Sequence, residues 1–163
     1  MRPWSKRPTE IAHLLNPAFC SILLREAIMG YEQEAGAGTP YTLSFLILPV
    51  VLHKPTRDLL PKTIATKLHS WIQENQNTRI GFADRVRWTI PYTKEALYYA
   101  SKADLIRISD DGLLASNMKR LKKLSWPKTS ESSLCVGKAR FVGRWFSLAG
   151  DTATILAMWG VRP

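Results

Sequence analysis

The sequence is poor in the residues that small folds use as covalent or metal staples. It holds two cysteines in 163 residues, Cys20 and Cys135. Both stand in apolar runs, AFCSILL and SLCVGKA, and neither belongs to a CxxC or a histidine-flanked pair. A disulfide framework and a zinc site are therefore not expected, and both residues read as buried free thiols. The three histidines, His13, His53 and His69, stand apart from one another and from any cysteine. There is no HExxH, no GxSxG and no GxxxxGK[ST] loop, so no zinc-protease, serine-hydrolase or phosphate-loop chemistry is offered. Carboxylates are scarce, 13 against 23 Lys and Arg, and none cluster as a nuclease metal centre requires. Asp110-Asp111 precede Gly112 and read as turn formers. No catalytic residue, metal or cofactor is expected, and the chain is not expected to be an enzyme.

Long apolar runs are also missing. The longest, LSFLILPVVL from Leu43 to Leu52, is about half the roughly 20 residues that a membrane-spanning helix needs. The opening MRPWSKRPTE is basic, but no apolar stretch follows it, so no secretory signal is expected. The expectation is a soluble cytoplasmic protein with no membrane partner.

What the sequence has is positive charge and aromatic bulk. The net charge is +10. Hydrophobic residues make up 45% and six are Trp, which is enough for one folded core. A balance this basic favours polyanion partners such as nucleic acid or an acidic protein. The charge is uneven: from Asn117 onward nine Lys/Arg face two Asp/Glu, against 14 and 11 before it. Its densest run is Lys119, Arg120, Lys122 and Lys123, a candidate contact for phosphates or an acidic partner.

Start and stop signals divide the chain. Asn16-Pro17 is a helix start, and Phe19, Ile22, Leu23, Ala27 and Met29 give that helix an apolar face up to Gly36. Thr39-Pro40 repeats the start signal. It predicts a buried helix over Tyr41–Leu52 with Pro49 kinking it, a strand being the alternative. Ile64, Leu68, Trp71 and Ile72 predict an amphipathic helix over Thr63–Asn75. Another is expected from Ile80 to just before Pro91, and a short one from Thr93 to Ala100. Leu105–Ile108, Asp110-Asp111-Gly112 and Leu113–Ala115 read as strand, turn and return strand. Two helices followed by a hairpin are the pattern of a winged helix-turn-helix.

Residues 117–133 read as a basic linker. Leu134, Phe141, Val142, Trp145 and Leu148 then mark the apolar side of a further helix, and Asp151 caps a last one that Gly160 ends. The expected organisation is a basic extension over 1–15, a helical core with a winged-helix-like element over 16–116, the linker, and C-terminal helices over 134–163 packing on the core. The fold class expected is mainly α with a small β-hairpin. Gly137, Arg140 and Arg144 share one helical row. Glycine there would allow another backbone to approach, and arginine suits bidentate contact with carboxylate or phosphate, so the row is a candidate partner interface.

Several longer stretches carry a family resemblance: NPAFCSILLREAIMGYEQEAG, PYTLSFLILPVVLHKPTRDLLP, WIQENQNTRIGFADR, TKEALYYA, and the ending KARFVGRWFSLAGDTATILAMWGVRP. From Asn16 to Pro163 the chain resembles the middle component of bacterial three-component ABC ATPase systems, the group that includes Lamassu-type anti-phage defence. That resemblance implies a non-catalytic adaptor with a winged-helix element. It would bridge an SMC- or Rad50-like ABC ATPase and an effector subunit, expected to be a nuclease, in an anti-phage or anti-plasmid complex that contacts DNA. The other function considered is a stand-alone winged-helix DNA-binding regulator. The segment TKEALYYA is thin in side chains for base readout.

Overall fold

The first helix forms where the cap predicts it. In a computed structural model, which describes residues 8–9, 14–117 and 126–162, helix α1 spans Pro17–Ala35. The Asn16 side chain accepts a hydrogen bond from the Ala18 amide, and Gly36 closes the helix at φ 65°. Leu23, Leu24, Ala27 and Ile28 are buried along it.

Helical structure begins directly after Thr39–Pro40, as expected, but the pair itself is not the cap and first turn. It forms a short strand, β1, antiparallel to a strand from the far end of the hairpin. A 3-10 turn over Tyr41–Leu43 then leads into α2, Ser44–Val51, a helix rather than a strand. All of its residues except Phe45 are buried, Pro49 included, as its apolar character predicts. The sequence signals missed α3, Lys54–Leu59, which has proline in its first turn and the His53 ring as its cap. Helix α4 is shorter than expected, Leu68–Glu74. Thr63–Thr66 is instead a turn, and the Thr66 carbonyl accepts the Trp145 indole N–H at 2.6 Å.

The largest departure is at Pro91. The two helices expected on either side of it are one, α5, Phe82–Lys102. Thr93 does not cap; it is fully buried and donates its hydroxyl to the Thr89 carbonyl at 3.2 Å. The apolar face Phe82, Val86, Thr89, Thr93, Ala96, Leu97 and Ala100 runs unbroken through the proline, and packing along it holds both halves in one line. The break expected at Pro91 is absent.

The hairpin is present: β2 (Ile106–Ile108) pairs with β3 (Leu113–Ser116), and Gly112 turns at φ 71°. With β1 it makes a three-stranded antiparallel sheet in the order β1-β3-β2. Helix α6, Glu131–Ser147, starts three residues before Leu134, capped by the Ser130 hydroxyl. Helix α7, Thr152–Met158, is capped by Asp151 and ended by Gly160, as its signals predict. The fold is mainly α with a small antiparallel sheet.

The core is aromatic where α4, α5, α6 and α7 meet. Trp71 meets Trp145 edge to face at 5.3 Å, and Phe82 stacks on Trp159 at 4.3 Å. Both Cys20 and Cys135 are buried free thiols, as expected. Leu134 and Leu148, expected on the apolar side of α6, are exposed. Leu134 lies in the first turn of α6 and Leu148 caps its C-terminal end.

Candidate partner interface

Among the described residues the most extensive helix contact is between α1 and α6. Two glycines set how close the helices come. A Cβ built on Gly143 would stand 2.6 Å from the Ala27 carbonyl carbon and 2.9 Å from its Cα. One built on Gly30 would stand 3.1 Å from the Arg140 carbonyl carbon. The backbones therefore touch with no side chain between them. Gly137, on the candidate partner row, has nothing within 4 Å of such a Cβ and faces outward. All three glycines lie inside helices, where glycine costs about 0.5–1 kcal/mol against alanine unless it serves packing. That signal is visible in the sequence, but it does not say which glycine is the contact.

Beside the seam runs a line of charges, most of them used within the molecule. Glu26 is buried, and a buried carboxylate is tolerated only when paired. It accepts from Arg25 at 3.0 Å and from Arg140 at 2.6 and 2.9 Å. Arg25 also reaches the Asn117 carbonyl at 3.3 Å. Arg144 donates to Glu34 at 2.6 Å. The Glu32 carboxylate takes the Ser116 amide and hydroxyl, tying β3 to α1. The structure thus brings Arg140 and Arg144 together on α1 through Glu26 and Glu34. Their guanidiniums stay partly open to solvent, and Arg140 borders a groove of about 490 Å3 lined also by Met29, Glu32, Gln33 and Ser116.

A second polar cluster sits at the other end of the seam. Arg57 is buried, donating to the Val51 carbonyl at 2.8 Å, to the Cys135 sulfur at 3.2 Å and to Glu131. It joins the α2–α3 corner to the first turn of α6 and lies under a groove of about 550 Å3 lined also by Leu14, Phe19 and Leu52. Burial raises the Cys135 thiol pKa, with Arg57 opposing that shift; burial pushes Cys20 up to about 12. Both shifts disfavour the thiolate. Nearby, the His53 ring nitrogen caps α3 through Thr56. Desolvation, reinforced by Arg85, holds the His53 pKa below its ordinary value. Sequence reasoning assigned no role to Arg57, His53 or Glu26. Glu26 stands beside an apolar run, whereas Arg57 and His53 lie in the polar segment HKPTRD and carry no such signal.

Lys119, Arg120, Lys122 and Lys123 lie outside the described residues, as does His13. Their flanks are placed: Asn117 is held by Arg25, and Trp126 meets Phe19 edge to face at 6.3 Å. Among the described residues no group of three or more His, Cys, Asp or Glu is placed to hold a metal ion, and no helix is long and apolar enough to cross a membrane.

The molecule is basic and mainly helical, its buried charges brace its own helices, and open grooves lie beside them. Its sequence matches the family model of the ABC-three component (ABC-3C) system Middle Component 3 over residues 4–163, and the chain belongs to that family. The match begins well before Asn16, so most of the N-terminal extension is part of the family pattern. No curated protein and no solved structure matches the chain.

Proposed function

We propose that this chain is a non-catalytic adaptor subunit. It bridges an SMC- or Rad50-like ABC ATPase and an effector of the nuclease class in an anti-phage or anti-plasmid defence complex. The observation that carries this is membership of a middle-component family over nearly the whole chain, which makes it one subunit among several. ATP hydrolysis and strand cutting belong to the partners in this reading.

Two surfaces serve the bridge. Lys119, Arg120, Lys122 and Lys123 contact DNA phosphates or an acidic partner without reading sequence. The strip bearing Gly137, Arg140 and Arg144 meets a partner at the rim of the α1–α6 seam. Since Glu26 and Glu34 already hold the two arginines, a partner's carboxylate would share them instead of meeting free cations. The other reading is a stand-alone winged-helix regulator; against it, the TKEALYYA part of α5 offers one Lys, one Thr and two Tyr, which is thin for base readout.

The test is co-expression of this chain with its neighbouring genes, followed by size-exclusion chromatography at physiological salt. One peak holding this chain, an ATPase and an effector is expected. Separate peaks for all three overturn the proposal. So does metal-dependent DNA cleavage by this chain alone that one Asp or Glu substitution abolishes.

A further inference from the structure

A recess of about 380 Å3 lies between the start of α5 and the end of α7, lined by Gln76, Arg79, Ile80, Ala83, Trp159 and Gly160. Two stretches far apart in the chain build it. Gln76–Arg79 is a 3-10 turn that leads through Ile80 and Gly81 into α5. Trp159 and Gly160 close α7.

Three kinds of donor meet here without an acceptor. Trp159 is buried, and its indole Nε1–H has no hydrogen-bond partner. Trp71, Phe82 and Phe146 pack around the ring, and none of their side chains offers an acceptor. An acceptor for this N–H must therefore come through the recess, past the exposed Arg79 side chain. The Arg79 guanidinium makes no hydrogen bond or ion pair with any described residue. It lies over Gly160, where a Cβ would stand 3.3 Å from Nη2, so the bare Cα at φ 70° leaves the room it occupies. Helix α5 begins at Gly81 with no side-chain cap on its first amides. Orphaned buried donors are rare in native folds, and here one adjoins an unpaired cation and an uncapped helix start.

We infer that this recess is a binding site for a carboxylate on a short apolar stem, carried by a free organic acid or by the tip of a partner's chain. The lining selects that chemistry. Trp159 and Arg79 only donate, the Gln76 amide does both, and no carboxylate is among the described lining residues. An acceptor-only group fits such a set. Charge narrows it further. Arg79 is the one cation among those residues, and Asp84 stands in the first turn of α5, paired with Arg87. A monoanion gains from Arg79 and from the helix start, whereas a phosphate dianion meets stronger repulsion from Asp84. The exposed Ile80, Ala83 and the Trp159 ring give the stem an apolar wall. The inference goes beyond the adaptor reading and does not depend on it.

The experiment titrates the isotope-labelled full chain with sodium butyrate, and in parallel with sodium chloride and sodium phosphate at matched ionic strength. The readout is the assigned Trp159 indole N–H signal in nuclear magnetic resonance spectra. Butyrate is expected to move that proton downfield along a saturating curve, and the other two salts are not. Arg79→Met, at an exposed position, is expected to keep the wild-type Tm and to weaken butyrate at least about 10-fold, as loss of a charged hydrogen bond implies. Arg107→Met, an exposed arginine on β2, is expected to bind butyrate as wild type does. No saturable movement with butyrate overturns the inference. So does an equal response to phosphate or chloride, or unchanged affinity in Arg79→Met. The co-expressed system then tells the two sources apart. An Arg79→Met chain that loses a partner assigns the carboxylate to that partner, and one that keeps every partner while failing to bind butyrate assigns it to a free acid.

Discussion

Replacing Gly143 with alanine is expected to damage the fold, while the same change at Gly137 is expected to help it. A Cβ on Gly143 would stand 2.6 Å from the Ala27 carbonyl carbon, where ordinary carbon contacts lie at about 3.5–4.0 Å. The neighbour is backbone and cannot rotate aside, so α1 and α6 must part by roughly 1 Å. Overpacking of this kind costs about 3 kcal/mol at the upper end of its usual range. Alanine returns about 1 kcal/mol of helix propensity, leaving a net loss of about 2 kcal/mol. For a chain of this size that lowers Tm by roughly 4–8 °C, at about 2–4 °C per kcal/mol. Gly137 has open space at its Cβ, so Gly137→Ala keeps the propensity gain and raises Tm by about 1–4 °C. Thermal melts of the three proteins followed by circular dichroism decide it. A Gly143→Ala protein that melts at or above wild type would refute the claim that backbone contact at this glycine sets the seam.

Other perturbations separate the remaining contacts. Trp145→Ala removes a fully buried ring and its bond to the Thr66 carbonyl, so denaturant titration is expected to show a loss of about 3–5 kcal/mol. Arg140→Ala/Arg144→Ala leaves Glu26 buried but still paired with Arg25; with both arginines partly solvated, the loss is expected to be only about 1–2 kcal/mol. His53 caps α3 with a neutral ring nitrogen, and its pKa in the fold lies below the unfolded value of 6.5. The unfolded chain therefore binds the proton more readily, and stability should fall as pH drops through 6.5; His53→Asn, which caps without titrating, should flatten that slope between pH 5 and 7.5. Changing Lys119, Arg120, Lys122 and Lys123 to Gln is expected to weaken DNA binding equally across sequences and lower its salt slope. A changed base preference would contradict that role.

Much of this fold is written locally. Asn16-Pro17 with Gly36, and Asp151 with Gly160, begin and end their helices because a cap needs only neighbouring residues. The DDG turn likewise delivers the hairpin. Tertiary demands account for the misses. Pro91 carries a strong local stop signal, yet the buried face of α5 outweighs it. Thr39–Pro40 does precede a helical segment, but its own pairing with β3 is announced by no local pattern. The arginines of α6 were legible as a row, while Glu26 and Glu34, more than a hundred residues earlier, were not legible as their partners. Interior glycines and interior charges mark such long-range contacts without naming the other side.

The bridging role is tested most directly by leaving this chain out. The proposed ATPase and effector partners are co-expressed with and without it, and the tagged ATPase is purified from each. The account predicts that the effector comes down with the ATPase only when this chain is present. An effector retained equally well in its absence would contradict the account.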